Sequence, residues 1–300
     1  MPGSNVETTD HTWVAELWPA ELQFRHAIGL PQEEAAVTGR EVVPRTLQGL
    51  LEWAFVGSNP AATDSTRSLL LQYRSPPLYR TPANVLYPVG IRVQGFVESC
   101  NLRALGSWSR DSSPSSALQH IILYGGVHEE VFGQYISAIS EVTSYIYRSL
   151  NCALPEGGGF SSQRTTLFVA RRVFTKITHR NRGRPSVLEP RDDPLLEARA
   201  VEHEWRVTEK PRVGAYIVDE TNPSIGTFVA VDPMSVGPGD FVDVCVGFDI
   251  AYRPGRGGRK SQVQVHLNIE HVVLLVAAAR ATDMAVDATE VLVETPGLEF

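Results

Sequence analysis

Between Glu156 and Glu189 the chain has no Asp or Glu, yet this window holds Arg164, Arg171, Arg172, Lys176, Arg180, Arg182 and Arg184, with Phe168 and Phe174 interleaved. Cations beside aromatic rings suit a single nucleic-acid strand, because the charges track phosphates while the rings offer faces on which bases stack. A second concentration, RPGRGGRK at 253–260, sets Arg253, Arg256, Arg259 and Lys260 among glycines with no compensating acid. Glycine lets a backbone approach closely, so this stretch reads as a basic arm. Blander uses remain open for both. The first cluster could pair inside the molecule with Asp192, Asp193, Glu197, Glu202 and Glu204, and the second could be a solvated loop. Either could also meet the acidic face of a protein partner or of another copy in a homo-oligomer.

The overall balance narrows these choices. With 27 Lys+Arg against 34 Asp+Glu the net charge is -7, which excludes wholesale coating of nucleic acid and makes any polyanion contact local. Cys100, Cys152 and Cys245 lie far apart with no CxxC, so neither a disulfide framework nor a zinc site is expected, and a reducing, intracellular setting, nuclear or cytoplasmic, fits best. The N-terminus lacks a basic stretch followed by an apolar one, and the longest apolar run, 272–279, falls far short of the about 20 residues a membrane span needs. No membrane partner is expected.

Enzyme patterns fare poorly. RGGRKS near residue 260 puts Arg259 where a phosphate loop needs glycine, and a strand follows where that loop needs a helix. In HLNIEH, a straight strand would place His266 and Glu270 on one face and His271 on the other, so without a bulge they cannot share a metal. No GxSxG occurs. No cofactor or metal is implied, although a site assembled from distant residues would escape this reading.

The elements that must position these residues are legible in part. Val242, Val244, Val246, Phe248, Ile250 and Tyr252 occupy alternate positions, and Val263, Val265, Leu267 and Ile269 do the same after the basic stretch. That is a β-hairpin with one buried face and RPGRGGRK at its tip. Its other face, with Asp243, Asp249 and Glu270, reads as polar and acidic, so the tip rather than the strands would meet phosphate. Val131, Tyr135, Ile139, Val142, Ile146 and Leu150 recur at helical spacing and predict a helix over 128–150, ended by Asn151 and Pro155. Strands are expected within VGIRVQGFVESCNL, TTLFVARRVFTKIT, AYIVDE and TFVAVD, and helices over 47–56 and within PLLEARAVEHEW. The aromatic stretch WVAELWPAELQF should cover a core edge.

Together these imply an α+β fold, mainly an antiparallel β-sheet or barrel with one long central helix. The glycine-rich PEGGGFSSQ suggests a division into a flexible tail at 1–11, an α+β half at 12–155 and a mainly β half at 156–300.

Three resemblances add to this. Arg182-Gly183-Arg184-Pro185 resembles the core of the AT-hook, which implies minor-groove contact, although the basic residues expected on its C-terminal side are replaced by Ser186, Val187, Leu188 and Glu189. GDFVDVCVGFDI, the basic turn and QVQVHLNIEHVVLL resemble the paired strands and closing strand of OB-fold single-strand-binding proteins. The same stretch is similar to uncharacterised proteins of mushroom-forming fungi, which implies an intracellular eukaryotic setting and no particular activity.

Overall fold

The computed structural model describes residues 17–19, 22, 43–58, 67–74, 88–109, 112–155, 165–177, 204–207, 211–218, 226–253, 255 and 261–278. In chain order these form α1 (Leu47–Trp53), β1 (Ala54–Ser58), β2 (Arg67–Tyr73), β3 (Gly90–Asn101), β4 (Leu118–Tyr124), α2 (Glu129–Ser149), β5 (Thr166–Arg172), β6 (Thr175–Lys176), β7 (Trp205–Arg206), β8 (Arg212–Val218), β9 (Gly226–Ala230), β10 (Phe241–Arg253) and β11 (Gln262–Val276). All but β6 and β7 join one sheet, in the order β5-β4-β3-β10-β11-β8-β9, with β2 also pairing β10 and carrying β1. The pairing is antiparallel except between β11 and β8, so the α+β, mainly antiparallel expectation holds, with no closed barrel among the described residues.

The centre of this sheet is a Greek key. Strands β3, β4 and β5 pair in succession, and β10 returns after a long excursion to lie beside β3. Strand β11 follows as the other arm of the predicted hairpin, with Tyr252 opposite Val263 and Val246 opposite Ile269. The sheet curls until β5 meets β11, and Arg171 Nη1 donates to the Ile269 carbonyl across that seam at 3.2 Å. The five strands therefore make a partly open barrel. Strands β3 and β4 precede the glycine-rich stretch 156–160 while β5, β10 and β11 follow it, so this stretch joins strands of one sheet.

Alternation builds the core. Inward residues from every barrel strand, among them Val93, Leu123, Val169, Val244 and Ile269, are buried together in a single cluster. Trp18 and Leu22 are buried in it too, as expected of the N-terminal aromatic stretch. Helix α2 packs on that cluster over its whole length. The predicted stripe residues Tyr135, Ile139, Val142 and Ile146 are buried, and so are Phe132, Ile136, Thr143, Tyr145 and Tyr147, a broader face than one stripe. Tyr145 donates to the Ala54 carbonyl at 2.7 Å and Tyr147 to the Val263 carbonyl at 3.1 Å, which ties the helix to β1 and to the hairpin. Asn151, in left-handed conformation at φ 51, ends it. Truncating Ile139, fully buried in the middle of this face, is expected to cost about 2–5 kcal/mol in urea unfolding through lost burial and the cavity left behind.

Two further features differ from the sequence reading. The polar side of the hairpin is not wholly solvated, because Asp243 is buried and ion-paired with Arg92 of β3 at 2.6 Å. A smaller cluster of Leu105, Trp108, Ala117, Val173, Phe174 and Val207 also forms beside the main one, with half-buried Trp205 packed on it. It lies where the loop after β3 meets the chain leaving β5. Gly106 anchors that loop at φ +55, where a Cβ would stand 2.3 Å from the Leu118 carbonyl oxygen, so only glycine fits.

Candidate nucleic-acid interface

Strands β4 and β5 show the same division of faces. In β4, Gln119, Ile121 and Leu123 are buried while Leu118, His120, Ile122 and Tyr124 are half-buried. In β5, Leu167 and Val169 are buried, whereas Phe168 is 49% exposed and Arg172 is exposed. The register sets Phe168 opposite Ile122, Ala170 opposite His120 and Arg172 opposite Leu118. Phe168 and His120 are therefore diagonal neighbours on the outer face, and their rings stack at 5.8 Å with 28° between planes. The result is an aromatic platform whose exposed ring, Phe168, lies four residues from Arg172 along the same face of β5.

The eleven residues singled out from sequence separate into groups. Arg172 is exposed on β5 and Lys176 on β6, beyond the bend at Val173. Arg171 is half-buried and its guanidinium is engaged by the Ile269 carbonyl, so it serves the seam instead of standing free for phosphate. Phe174 is 3% exposed and sits edge-on to Trp108 at 4.9 Å, so its faces are closed to a base. The strand ends at Arg172 and the chain bends at Val173, which turns Phe174 into the small cluster. Arg180, Arg182 and Arg184 lie outside the described residues, as do Arg256, Arg259 and Lys260 and the AT-hook-like core.

Where those two basic segments are anchored is visible. The Ile177 N–H donates to the Glu204 carbonyl at 2.5 Å and β6 pairs with β7, so the arginine-rich segment leaves and returns at one clasp. Arg180 is four residues beyond Lys176, within about 14 Å of it on a fully extended chain. Of the five acids that could pair with this cluster, only Glu204 is described, and the helix expected within PLLEARAVEHEW lies outside the described residues except for a strand at its end. At the hairpin tip, Tyr252 Oη donates to Ser261 Oγ at 3.4 Å and the Gly255 N–H donates to the same oxygen at 3.2 Å, closing the base of the basic turn. Successive antiparallel pairings make β5 and β11 run in the same direction, so that tip lies toward the Thr166 end of β5.

His120 was missed from sequence, although it occupies an outward position of the alternating stretch LQHIILY. The buried network behind the hairpin was missed as well. Arg92 Nε reaches Asp243 Oδ1 at 3.1 Å, and Gln94 Nε2 donates to Asp243 Oδ2 at 3.1 Å. His271 lies nearby with its pKa lowered, first by desolvation, then by Arg92 and Arg212 against the opposing pull of Asp243. A bulge between the Cys245–His271 and Val246–Ile269 pairs brings His271 to the side that carries His266. Even so, no three His, Cys, Asp or Glu side chains among the described residues could hold a metal. No helix among those residues is long and apolar enough to cross a membrane.

No protein-family model matches the chain, and no curated protein matches it in sequence. The resemblances to the AT-hook and to proteins of mushroom-forming fungi thus find no support in these comparisons. Among solved structures, the chain is similar to gp2.5, a single-stranded DNA binding protein encoded by bacteriophage T7, at 10% identity and a TM-score of 0.30, over 63% of this chain and 92% of that one. So shallow a likeness leaves function to the chain's own residues.

Proposed function

We propose that the outer face of β4 and β5 binds single-stranded nucleic acid. The observation that carries this is the Phe168 ring, 49% exposed on a sheet yet already stacked on His120. An exposed phenylalanine gains nothing from solvent, and a base laid on its open face would continue the stack. A base inside a duplex is already stacked on both sides, so the platform favours a single strand. Arg172 and Lys176 supply cations beside it, and Arg180, Arg182 and Arg184 extend the charge from the β6–β7 clasp, with Arg256, Arg259 and Lys260 as an arm at the hairpin tip. Partly open five-stranded Greek-key barrels that bind oligonucleotides use the face of their second and third strands and the loops after the first and fourth. Here those places are β4 and β5, the loop 102–117 and the basic tip. This second support is an analogy of architecture.

Anisotropy of a labelled oligothymidine across a salt series tests the proposal. The logarithm of affinity should fall linearly with the logarithm of salt, with a slope of about -3 to -4 for four to six phosphates contacted by a single strand. Replacing Arg180, Arg182 and Arg184 together with alanine should flatten that slope by about 2, since each lost phosphate contact removes about 0.7. An unchanged slope clears the cluster of this role. Sedimentation without oligonucleotide addresses the alternative, in which the basic surfaces meet acidic faces of another copy: mass that grows at low salt supports it, and a monomer throughout removes it.

A further inference from the structure

We propose that His120 is a positioning residue of the single-strand site, holding the Phe168 ring in the pose that receives a base; this rests on the function proposed above. An exposed aromatic side chain on a strand has rotamer freedom that must be given up on binding, and a neighbour that fixes the ring beforehand removes that cost. The geometry supplies such a neighbour. Ala170, directly opposite His120, is too small to fill the space over the imidazole, and the Phe168 ring leans into it from two residues away. The rings lie 5.8 Å apart and 28° from parallel, so His120 stacks on one side of Phe168, whose side chain is still 49% exposed.

His120 acts here through its ring. The residue opposite it on β3 is Asn101 and its neighbours along β4 on that face are Leu118 and Ile122, with Arg172 the nearest charged position along the same face of β5. No carboxylate occupies these facing positions, so nothing there builds a charged relay around the imidazole. The order imidazole, phenyl, base is a three-ring stack whose first two members belong to the protein.

The test uses the full chain and fluorescein-labelled oligothymidine over a salt series, with His120→Ala, His120→Phe and Phe168→Ala beside the wild type. His120→Ala should weaken binding about two- to tenfold at every salt concentration with the slope unchanged, because stacking is not screened as phosphate contact is. His120→Phe should restore most of that loss, since it keeps a ring and no titratable group, and thermal unfolding of both variants checks that the sheet is intact. A slope flattened by about 0.7 in His120→Ala would show a phosphate contact and overturn the positioning role. So would wild-type affinity in His120→Ala, or His120→Phe binding no better than His120→Ala. Wild type that fails to bind overturns the functional reading and this role with it, whereas binding that needs Phe168 but not His120 overturns this role alone.

Discussion

Replacing Asp243 with alanine is expected to destabilise the protein by about 3–5 kcal/mol in denaturant unfolding, the range for stranding one member of a buried ion pair. Asp243 is 0% and Arg92 4% exposed, so the guanidinium left behind would have no water to turn to. The pair is held at several points, with Arg92 Nε 3.0 Å and Nη2 2.6 Å from Asp243 Oδ2 and Gln94 donating to the same oxygen. Its place matters as much as its chemistry. Asp243 lies opposite Gln94, and Arg92 opposite Cys245, in the ladder that joins β3 to β10, the return strand of the Greek key. Leucine at both 92 and 243 should recover much of the loss, because removing both charges also removes their desolvation penalty. A loss below about 1 kcal/mol for the single change would mean that the charge left behind finds solvent.

Replacing Phe168 with alanine should weaken single-strand binding by about 1–3 kcal/mol, roughly five- to 150-fold, while moving the thermal midpoint little. The separation follows from exposure: a ring already 49% in solvent contributes modestly to the fold, yet on this reading it meets a base face to face. Tryptophan at 168 should preserve or strengthen binding, since it offers a larger stacking face. Phe174 makes the contrast. Its ring is packed against Trp108, so Phe174→Ala should lower stability first, and affinity only through that loss. Equal affinity losses for the two variants at matched stability would contradict the assignment of Phe168 as the platform.

The difference between these two phenylalanines shows how far sequence could go. They lie six residues apart, and in an unbroken strand even spacing would put them on one face. The bend at Val173 ends that period, and no turn signature marks it. Periodicity did reveal the hairpin of β10 and β11 and helix α2, because those elements repeat one pattern long enough to stand out. It also placed Asp243 on the outward side of its strand. What it could not say is whether that side meets water, since Arg92 and Gln94 arrive from about 150 residues away. Strand β4 went unrecognised behind a serine-rich loop, and with it His120 and the order of the Greek key. Arg171 and Arg172 are indistinguishable as neighbours in a sequence, yet strand alternation sends one to the seam with β11 and leaves the other on the surface.

Photocross-linking of an iodouracil-containing oligonucleotide, with the attached peptide located by mass spectrometry, tests the outer face of β4 and β5 most directly as the site of the strand. The account predicts attachment at Phe168 or within the peptide that carries it, competed by unlabelled single strand and lost in Phe168→Ala. Attachment confined to other surfaces, or an unchanged yield without the Phe168 ring, would contradict it.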